Sequence, residues 1–268
     1  SAAGREVYSS LHSAGVELVQ PYIFNEPPHA SIEAAETIRA YLADHNAIAV
    51  AVGSGSINDI CKLASFRAGR KYMCIATAAS VDGYASSGAP MTIDGFKKTV
   101  PCPAPAGIIA DLLVLQRAPY DMTAAGYADL IAKVTAGADW IIADEICGDA
   151  EPIQDIPWRM VQDPLESWIN HPHELKSGDP NAFSALFEGL TISGFAMQAA
   201  DSSRPASGCE HMFSHVWEMA NVKLKDGTEP SHGFKVGIGS LAALTAMDAF
   251  FSEPFTRGDI EEAVSRYP

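Results

Sequence analysis

The segment from residue 47 to residue 66 constrains the fold of this chain more than any other. An apolar run, Ala47–Val52, has the character of a buried strand, and Ile57–Phe66 has the spacing of a helix. The turn between them, Gly53–Ser56, contains only glycine and serine. Glycine lets the backbone approach a ligand closely, and the free N–H groups at a helix N-terminus attract an anion. The segment therefore predicts a phosphate cradle, although an ordinary strand-to-helix loop would look similar.

Further segments of the first half alternate between the apolar patterns of strands and those of helices. The spacing predicts helices over Arg5–Ala14 and Ser31–Asp44, and strands over Val16–Phe24, Met73–Ala76 and Gly107–Leu115. Residues 89–100 are polar with a central glycine and have the character of a hairpin. Alternating strands and helices of this length predict a parallel sheet with helices on its faces.

The pattern changes after Pro119, where apolar residues recur only at helical spacing. A length of 268 residues suits one large domain or two modest ones. We therefore predict an α/β domain over residues 1–118 and an all-helical domain over residues 119–268.

Composition excludes several classes of partner. The net charge is −15 and no segment is rich in lysine or arginine, which argues against nucleic-acid binding. No apolar run reaches the roughly 18 residues that a membrane helix needs, and we see no signal peptide, so no membrane insertion is expected. The five cysteines are odd in number and form no CxxC pair, which favours a reduced, cytoplasmic protein.

A second polar segment, Thr77–Ser87, follows the next predicted strand. It should therefore lie beside the cradle, at the carboxyl edge of the sheet, where ligands bind in open α/β folds. Its small hydroxyl residues suit phosphate or ribose oxygens, and Asp82 could hydrogen-bond a substrate hydroxyl. A polar loop closed by an Asx-turn is the alternative interpretation.

The second half carries a candidate metal site. His211 and His215 are four residues apart and share a helix face, and His232 opens the next predicted helix. Asp129 lies four residues before Lys133 among apolar residues, so the two form either an exposed ion pair or a functional group. An Asp, His, His set with open positions suits Zn²⁺, Ni²⁺ or Fe²⁺. The other five histidines are expected to be structural or solvated: His12, His29, His45, His171 and His173.

These segments, in this order, resemble the superfamily of iron-containing alcohol dehydrogenases, glycerol dehydrogenases and dehydroquinate synthases. The strings that carry the resemblance are GSGSINDICK, TAASVDGYASS, YADLIAK, SRPASGCEHMFSH and HGFKVGIG. They span residues 53 to 239, and the most similar branch is that of the sn-glycerol-1-phosphate dehydrogenases. The resemblance implies a Rossmann-like domain followed by a helical domain, with the site in the cleft between them and with NAD or NADP as cofactor.

The resemblance also implies roles for particular residues. Asp129, His211 and His232 would hold one divalent metal, and Asp82 and His215 would be catalytic residues that contact the substrate. The cofactor would be bound by residues of both glycine- and serine-rich segments: Gly55, Ser56, Ile57, Asn58, Asp59, Thr77, Ala78, Ala79, Ser80 and Ser86. Iron alcohol dehydrogenases commonly have a fourth ligand, a histidine, where Lys133 stands here, so the branches with three ligands are favoured.

The activity implied is interconversion of dihydroxyacetone phosphate and sn-glycerol 1-phosphate, a step of phospholipid metabolism, by a homodimer or larger homo-oligomer. The alternatives are a glycerol dehydrogenase that acts on unphosphorylated polyols, a lyase similar to dehydroquinate synthase, and a non-catalytic binding module. The lyase ranks low because its metal set resembles Glu, His, His, whereas Asp129 stands here. Relatives begin with a further strand and end with further helices, so both ends of this chain are expected to be truncated.

Overall fold

The computed structural model describes residues 2–93, 95–147, 150–252 and 254–266. The first part contains α1 (Ala2–Ser13), α2 (Ile32–Ala43), β1 (Ala49–Gly53), α3 (Gly55–Arg67), β2 (Tyr72–Ala76), β3 (Ala89–Ile93), β4 (Phe96–Val100), β5 (Gly107–Ala110) and α4 (Leu112–Gln116). The second part contains α5 (Tyr120–Cys147), α6 (Asp155–Gln162), α7 (Leu165–Ile169), α8 (Pro172–Ser177), α9 (Pro180–Ala200), α10 (Cys209–Met219), α11 (His232–Phe251) and α12 (Arg257–Arg266). The predicted change from mixed to helical structure after Pro119 is confirmed.

The sheet is parallel, as the alternation of strands and helices predicted. Its order is β1-β2-β5, with Ala51 paired with Cys74 and Cys74 paired with Ile108. β3 and β4 form the predicted hairpin, with Ala89 opposite Val100. The carboxyl ends of β1 and β2 therefore lie side by side, and the two glycine- and serine-rich segments meet at one edge.

The predicted strand over Val16–Phe24 is wrong, because residues 16–24 form no ladder with any described strand. Its alternating apolar side chains are exposed, with Val16 47% and Ile23 71% accessible. A strand needs a hydrogen-bonding neighbour as well as an alternating pattern. The segment is held instead by contacts such as the hydrogen bond that the Tyr41 hydroxyl donates to the carbonyl of Gln20.

The predicted strand over Gly107–Leu115 is too long. Asp111 interrupts it by capping α4, because its carboxylate accepts hydrogen bonds from the backbone N–H groups of Leu113 (2.8 Å) and Val114 (3.3 Å). The predicted helix over Ile57–Phe66 in turn begins two residues earlier, at Gly55. Most of the cradle therefore lies in the first turn of α3.

Two hydrophobic clusters stabilise the described chain. One joins α2 and α3 to the hairpin, through residues such as Ile38, Leu63 and Met91. The other joins the sheet to the later helices, and includes Cys74 together with Leu130 and Leu186. This second cluster crosses the predicted boundary at residue 118, so the sheet and the helices share buried surface. The division into domains 1–118 and 119–268 stays a prediction.

Among the described residues, α11 is the one helix long and apolar enough to cross a membrane. This is weak evidence, because core helices meet the same criterion. α11 packs against α5 and α10, and it buries Lys235 and Ser240.

Candidate metal and cofactor site

Three helices bring the predicted metal ligands together. Asp129 lies on α5, His211 on α10 and His232 at the start of α11, and one ligand atom of each lies within 4.8 Å of the other two. Asp129 is fully buried and His211 nearly so. His232 begins a helix, as predicted. His211 and His232 follow Asp129 in the sequence by 82 and 103 residues, and the fold brings both of them to it.

Glycines on α11 make this convergence sterically possible. A Cβ atom on Gly233 would lie 2.0 Å from the carbonyl oxygen of Ala125 on α5. A Cβ atom on Gly239 would lie 2.4 Å from the carbonyl oxygen of Glu210 on α10. Because only hydrogen fits at these contacts, α11 packs backbone to backbone against both other ligand-bearing helices.

The three residues fit a divalent metal. One carboxylate and two imidazoles are the donor set of catalytic sites that keep open positions. The Nδ1 atom of His232 is buried, and no hydrogen-bond partner reaches it within the described residues. The nearest carboxylate oxygen, Oε1 of Glu218, is 3.9 Å away, too far for a hydrogen bond. A buried nitrogen without a partner is costly, and metal coordination in this cluster would account for it.

Lys133 connects the candidate metal site to the Thr77–Ser87 segment. Its Nζ atom is fully buried and lies 3.1 Å from Oδ1 of Asp129 and 2.7 Å from Oδ2 of Asp82. The backbone N–H of Asp82 donates to Oδ2 of Asp129 at 2.9 Å. Burial would raise the pKa of Asp129, but the charge of Lys133, together with the interactions of His211 and His232, outweighs burial and holds this pKa below its usual value. The interpretation of Asp129 and Lys133 as an exposed ion pair is therefore wrong.

The predicted catalytic histidine, His215, lies one helical turn after His211 on α10. Partial burial lowers the pKa of its imidazole, although the nearby Glu218 acts in the opposite direction. His215 is not part of the metal cluster. Its catalytic role stays a prediction.

The predicted cofactor residues form two adjoining surfaces at the sheet edge. Gly55, Ser56 and Ile57 begin α3, where the Ser54 hydroxyl makes no capping hydrogen bond. The backbone N–H of Thr77 donates to the carbonyl of Gly53 at 3.0 Å, which joins the end of β1 to the segment after β2. A Cβ atom on Gly55 would lie 2.9 Å from Cγ2 of Val81. The helix N-terminus is therefore not capped by the Ser54 side chain, and its first residue packs closely against Val81 of the second segment.

Several predicted cofactor residues are turned inward. The Asn58 amide accepts from the Tyr72 hydroxyl at 3.0 Å and is 1% exposed. The segment also buries Ala78, Ala79 and Ser80, so these residues help to set its shape and do not expose their side chains. Ser86 donates its hydroxyl to the carbonyl of Gly83 at 3.1 Å. Their roles in cofactor binding stay predictions.

A buried lysine fixes the second cofactor segment. Lys62 on α3 donates from Nζ to the carbonyls of Gly83 (2.9 Å), Ser86 (2.9 Å) and Gly88 (3.0 Å). Its side chain is among the largest fully buried ones. α3 therefore holds both the cradle and the segment that faces it.

Comparison with known proteins agrees with this geometry. The family model described as iron-containing alcohol dehydrogenase matches residues 1–119. A Bacillus velezensis protein named glycerol-1-phosphate dehydrogenase [NAD(P)+] is 38% identical over 244 residues, which cover 88% of this chain and 60% of that protein. The chain is therefore similar to the iron-containing alcohol dehydrogenases over its first 119 residues, and to proteins named glycerol-1-phosphate dehydrogenase over most of its length.

Another relative and a solved structure show the same similarity. A Halalkalibacterium halodurans protein of the same name is 36% identical, over 90% of this chain and 60% of its own length. The crystal structure of glycerol dehydrogenase from Schizosaccharomyces pombe matches the fold with a TM-score of 0.70 at 21% identity, over 91% of this chain and 61% of that one. The chain therefore has the family fold, and spans about three fifths of the length of these curated relatives.

Two carboxylates beside the candidate metal cluster were missed by sequence reasoning. Glu210 is fully buried, and its Oε1 lies 2.7 Å from Nδ1 of His211. Glu218 is a near neighbour of His232 and pairs with Lys235 at 2.9 Å and Lys97 at 3.2 Å. A glutamate in the first turn of a helix normally indicates a favourable interaction with the helix dipole. The only local signal for another role was the histidine that follows Glu210 directly.

Proposed function

We propose that the protein is a metal-dependent, NAD(P)-linked oxidoreductase that interconverts dihydroxyacetone phosphate and sn-glycerol 1-phosphate. The observation that carries the proposal is the buried Asp129, His211, His232 cluster, joined by a 2.9 Å hydrogen bond to the segment that follows β2. The curated relatives named glycerol-1-phosphate dehydrogenase [NAD(P)+] support the choice of substrate.

Asp129, His211 and His232 would hold the metal, and the N-terminus of α3 with the Thr77–Ser86 segment would hold the cofactor. When bound, the divalent ion supplies Lewis-acid polarisation of the ketone, and NAD(P)H supplies the hydride. The substrate would lie between the two, at the carboxyl edge of the sheet.

The chain's own residues would orient the substrate and move its proton. Oδ2 of Asp82 lies 2.7 Å from Nζ of Lys133, and this contact fixes the position of the carboxylate. The other oxygen is the one available to accept a hydrogen bond from a substrate hydroxyl. His215 would take up the hydroxyl proton during alcohol oxidation and return it during ketone reduction. Lys133 would help to keep Asp129 ionised in a buried setting, where isolated carboxylates are disfavoured, and would hold Asp82 in place through their 2.7 Å contact.

The test is metal analysis of the purified protein with parallel assays of NADH and NADPH oxidation. Dihydroxyacetone phosphate and dihydroxyacetone are supplied separately. We expect one bound metal per chain and turnover of the phosphorylated ketone only, with both lost in Asp129→Asn. Turnover of dihydroxyacetone alone would instead identify a glycerol dehydrogenase. A metal-loaded protein that turns over neither ketone would refute the proposed substrate.

The remaining proposals concern the setting of the enzyme. All five cysteines are free thiols, with Cys61, Cys74 and Cys102 buried. This supports a reducing compartment, and we propose the cytoplasm. A homodimer or larger homo-oligomer is proposed from the family resemblance, and size-exclusion chromatography with light scattering would test it.

A further inference from the structure

The two ring nitrogens of His211 have different carboxylate neighbours. Nδ1 lies 2.7 Å from Oε1 of Glu210, and Nε2 lies 3.6 Å from Oδ1 of Asp129. The ring is therefore oriented with Nε2 toward the candidate metal cluster and Nδ1 toward Glu210. A metal-binding imidazole must offer a lone pair to the ion and carry its proton on the other nitrogen.

Glu210 is held rigidly enough to set this arrangement. Its Oε1 also accepts from the backbone N–H of Gly208 at 2.6 Å, and its Oε2 lies 2.9 Å from Oγ1 of Thr135 on α5. The side chain is fully buried, and a Cβ atom on Gly208 would come within 3.0 Å of Oε2. Both carboxylate oxygens are thus fixed by neighbours other than His211.

The carboxylate of Glu210 is compensated by hydrogen bonds and by His211 rather than by a lysine or arginine. Within the described residues, His211 is its only ion-pair partner. A buried carboxylate is costly unless a charge or several hydrogen bonds compensate it. The buried cation of Lys133 lies against Asp129 and Asp82 rather than against Glu210. A divalent cation at the candidate cluster would add positive charge near Glu210, on the other side of the His211 ring.

We propose that Glu210 is a positioning residue, which holds the proton of His211 on Nδ1 and thereby presents Nε2 to the metal. The inference rests on the metal site of the proposed function, but not on its substrate or its cofactor. Outer carboxylates of this kind fix the tautomer and ring orientation of metal-ligating histidines and raise their basicity. The role concerns metal affinity, so it can be measured without turnover.

The experiment compares three variants of the purified protein with Zn²⁺ as the probe. Glu210→Leu removes the acceptor and keeps most of the volume, and Glu210→Gln keeps an acceptor oxygen for Nδ1–H. Thr135→Val is the matched control, because it removes the support at Oε2 and leaves the contact with His211 in place. For each variant we would measure the Zn²⁺ dissociation constant by chelator competition and the unfolding midpoint of the metal-free protein.

We expect Glu210→Leu to weaken Zn²⁺ binding by about 10- to 100-fold, with Glu210→Gln restoring most of the affinity and Thr135→Val causing a much smaller loss, because it keeps the contact between Glu210 and His211. In the Zn²⁺-loaded protein, the ¹⁵N resonances of His211 should show a protonated Nδ1. Unchanged affinity in a folded Glu210→Leu protein would overturn the proposal. Equal losses in Glu210→Leu and Thr135→Val would overturn it as well, as would a zinc-bound Nδ1. If no variant or wild-type protein binds Zn²⁺, the proposed metal site itself fails.

Discussion

Asp59 shows how one buried residue makes stability depend on pH. It lies in the first turns of α3, is 9% exposed, and has Lys62 as its nearest compensating charge. Burial raises the pKa of this carboxyl from 3.8 to about 7, even though Lys62 acts in the opposite direction. The folded protein therefore binds a proton that the unfolded chain releases near pH 4. The stability this proton contributes is complete below pH 4 and is lost as the pH rises through 7.

We predict that Asp59→Asn gains stability relative to wild type as the pH rises from 5 to 8. The gain should be roughly 2–3 kcal/mol, from about 1.4 kcal/mol per unit of pKa shift. Urea unfolding at several pH values measures the difference. Glu145→Gln, at an exposed position of α5, controls for the change from carboxyl to amide. A difference between Asp59→Asn and wild type that stays constant from pH 5 to 8 would show that this carboxyl does not titrate there.

At the scale of elements, the contact between α5 and α11 decides whether the metal ligands meet. Gly233 follows His232 directly, and its Cα faces the backbone of Ala125 with no space for a methyl group. Gly237, one turn later, is less constrained, since its added Cβ would lie 3.0 Å from the Cβ of Ala128. A clash with a backbone carbonyl relaxes less easily than one between two methyl groups.

We therefore predict that Gly233→Ala separates α11 from α5 and lowers the free energy of unfolding by about 3 kcal/mol, at the upper end of overpacking costs. Zn²⁺ affinity should fall with it, because His232 moves away from Asp129. Gly237→Ala should cost about 1 kcal/mol and retain most of the Zn²⁺ affinity. If the two variants are equally stable in denaturant titrations, the close packing at Gly233 is not what holds these helices together.

The elements were more predictable from sequence than their contacts. Periodicity located α3, β2 and the hairpin, and the histidine spacing placed His211 and His215 on one helix, because these signals lie within a few neighbouring residues. Periodicity failed at residues 16–24, where apolar and polar residues alternate but no described strand pairs with them. The bond from Lys133 to Asp82 spans 51 residues, and that from Thr135 to Glu210 spans 75. No local pattern specifies such pairs, so Glu210 and the burial of Lys133 became visible only in the fold.

At the scale of the whole molecule, the candidate metal site links distant parts of the chain. Its proposed ligands span residues 129 to 232 and come from three helices, and Asp129 accepts a hydrogen bond from the segment after β2. An unfolded chain cannot hold these groups together, so a metal that binds the folded state stabilises it through mass action. The gain is about 2.7 kcal/mol at a free metal concentration of 100 times the dissociation constant.

We predict that saturating Zn²⁺ raises the thermal unfolding midpoint by roughly 5–10 °C, since 1 kcal/mol corresponds to about 2–4 °C in a protein of this size. A chelator should reverse the rise, and Asp129→Asn should abolish it. His171→Ala serves as the control for adventitious binding, because His171 lies just before α8 and outside the cluster. A rise that persists in Asp129→Asn but disappears in His171→Ala would mean that the ion binds elsewhere. The convergence of α5, α10 and α11 would then need an explanation in packing alone.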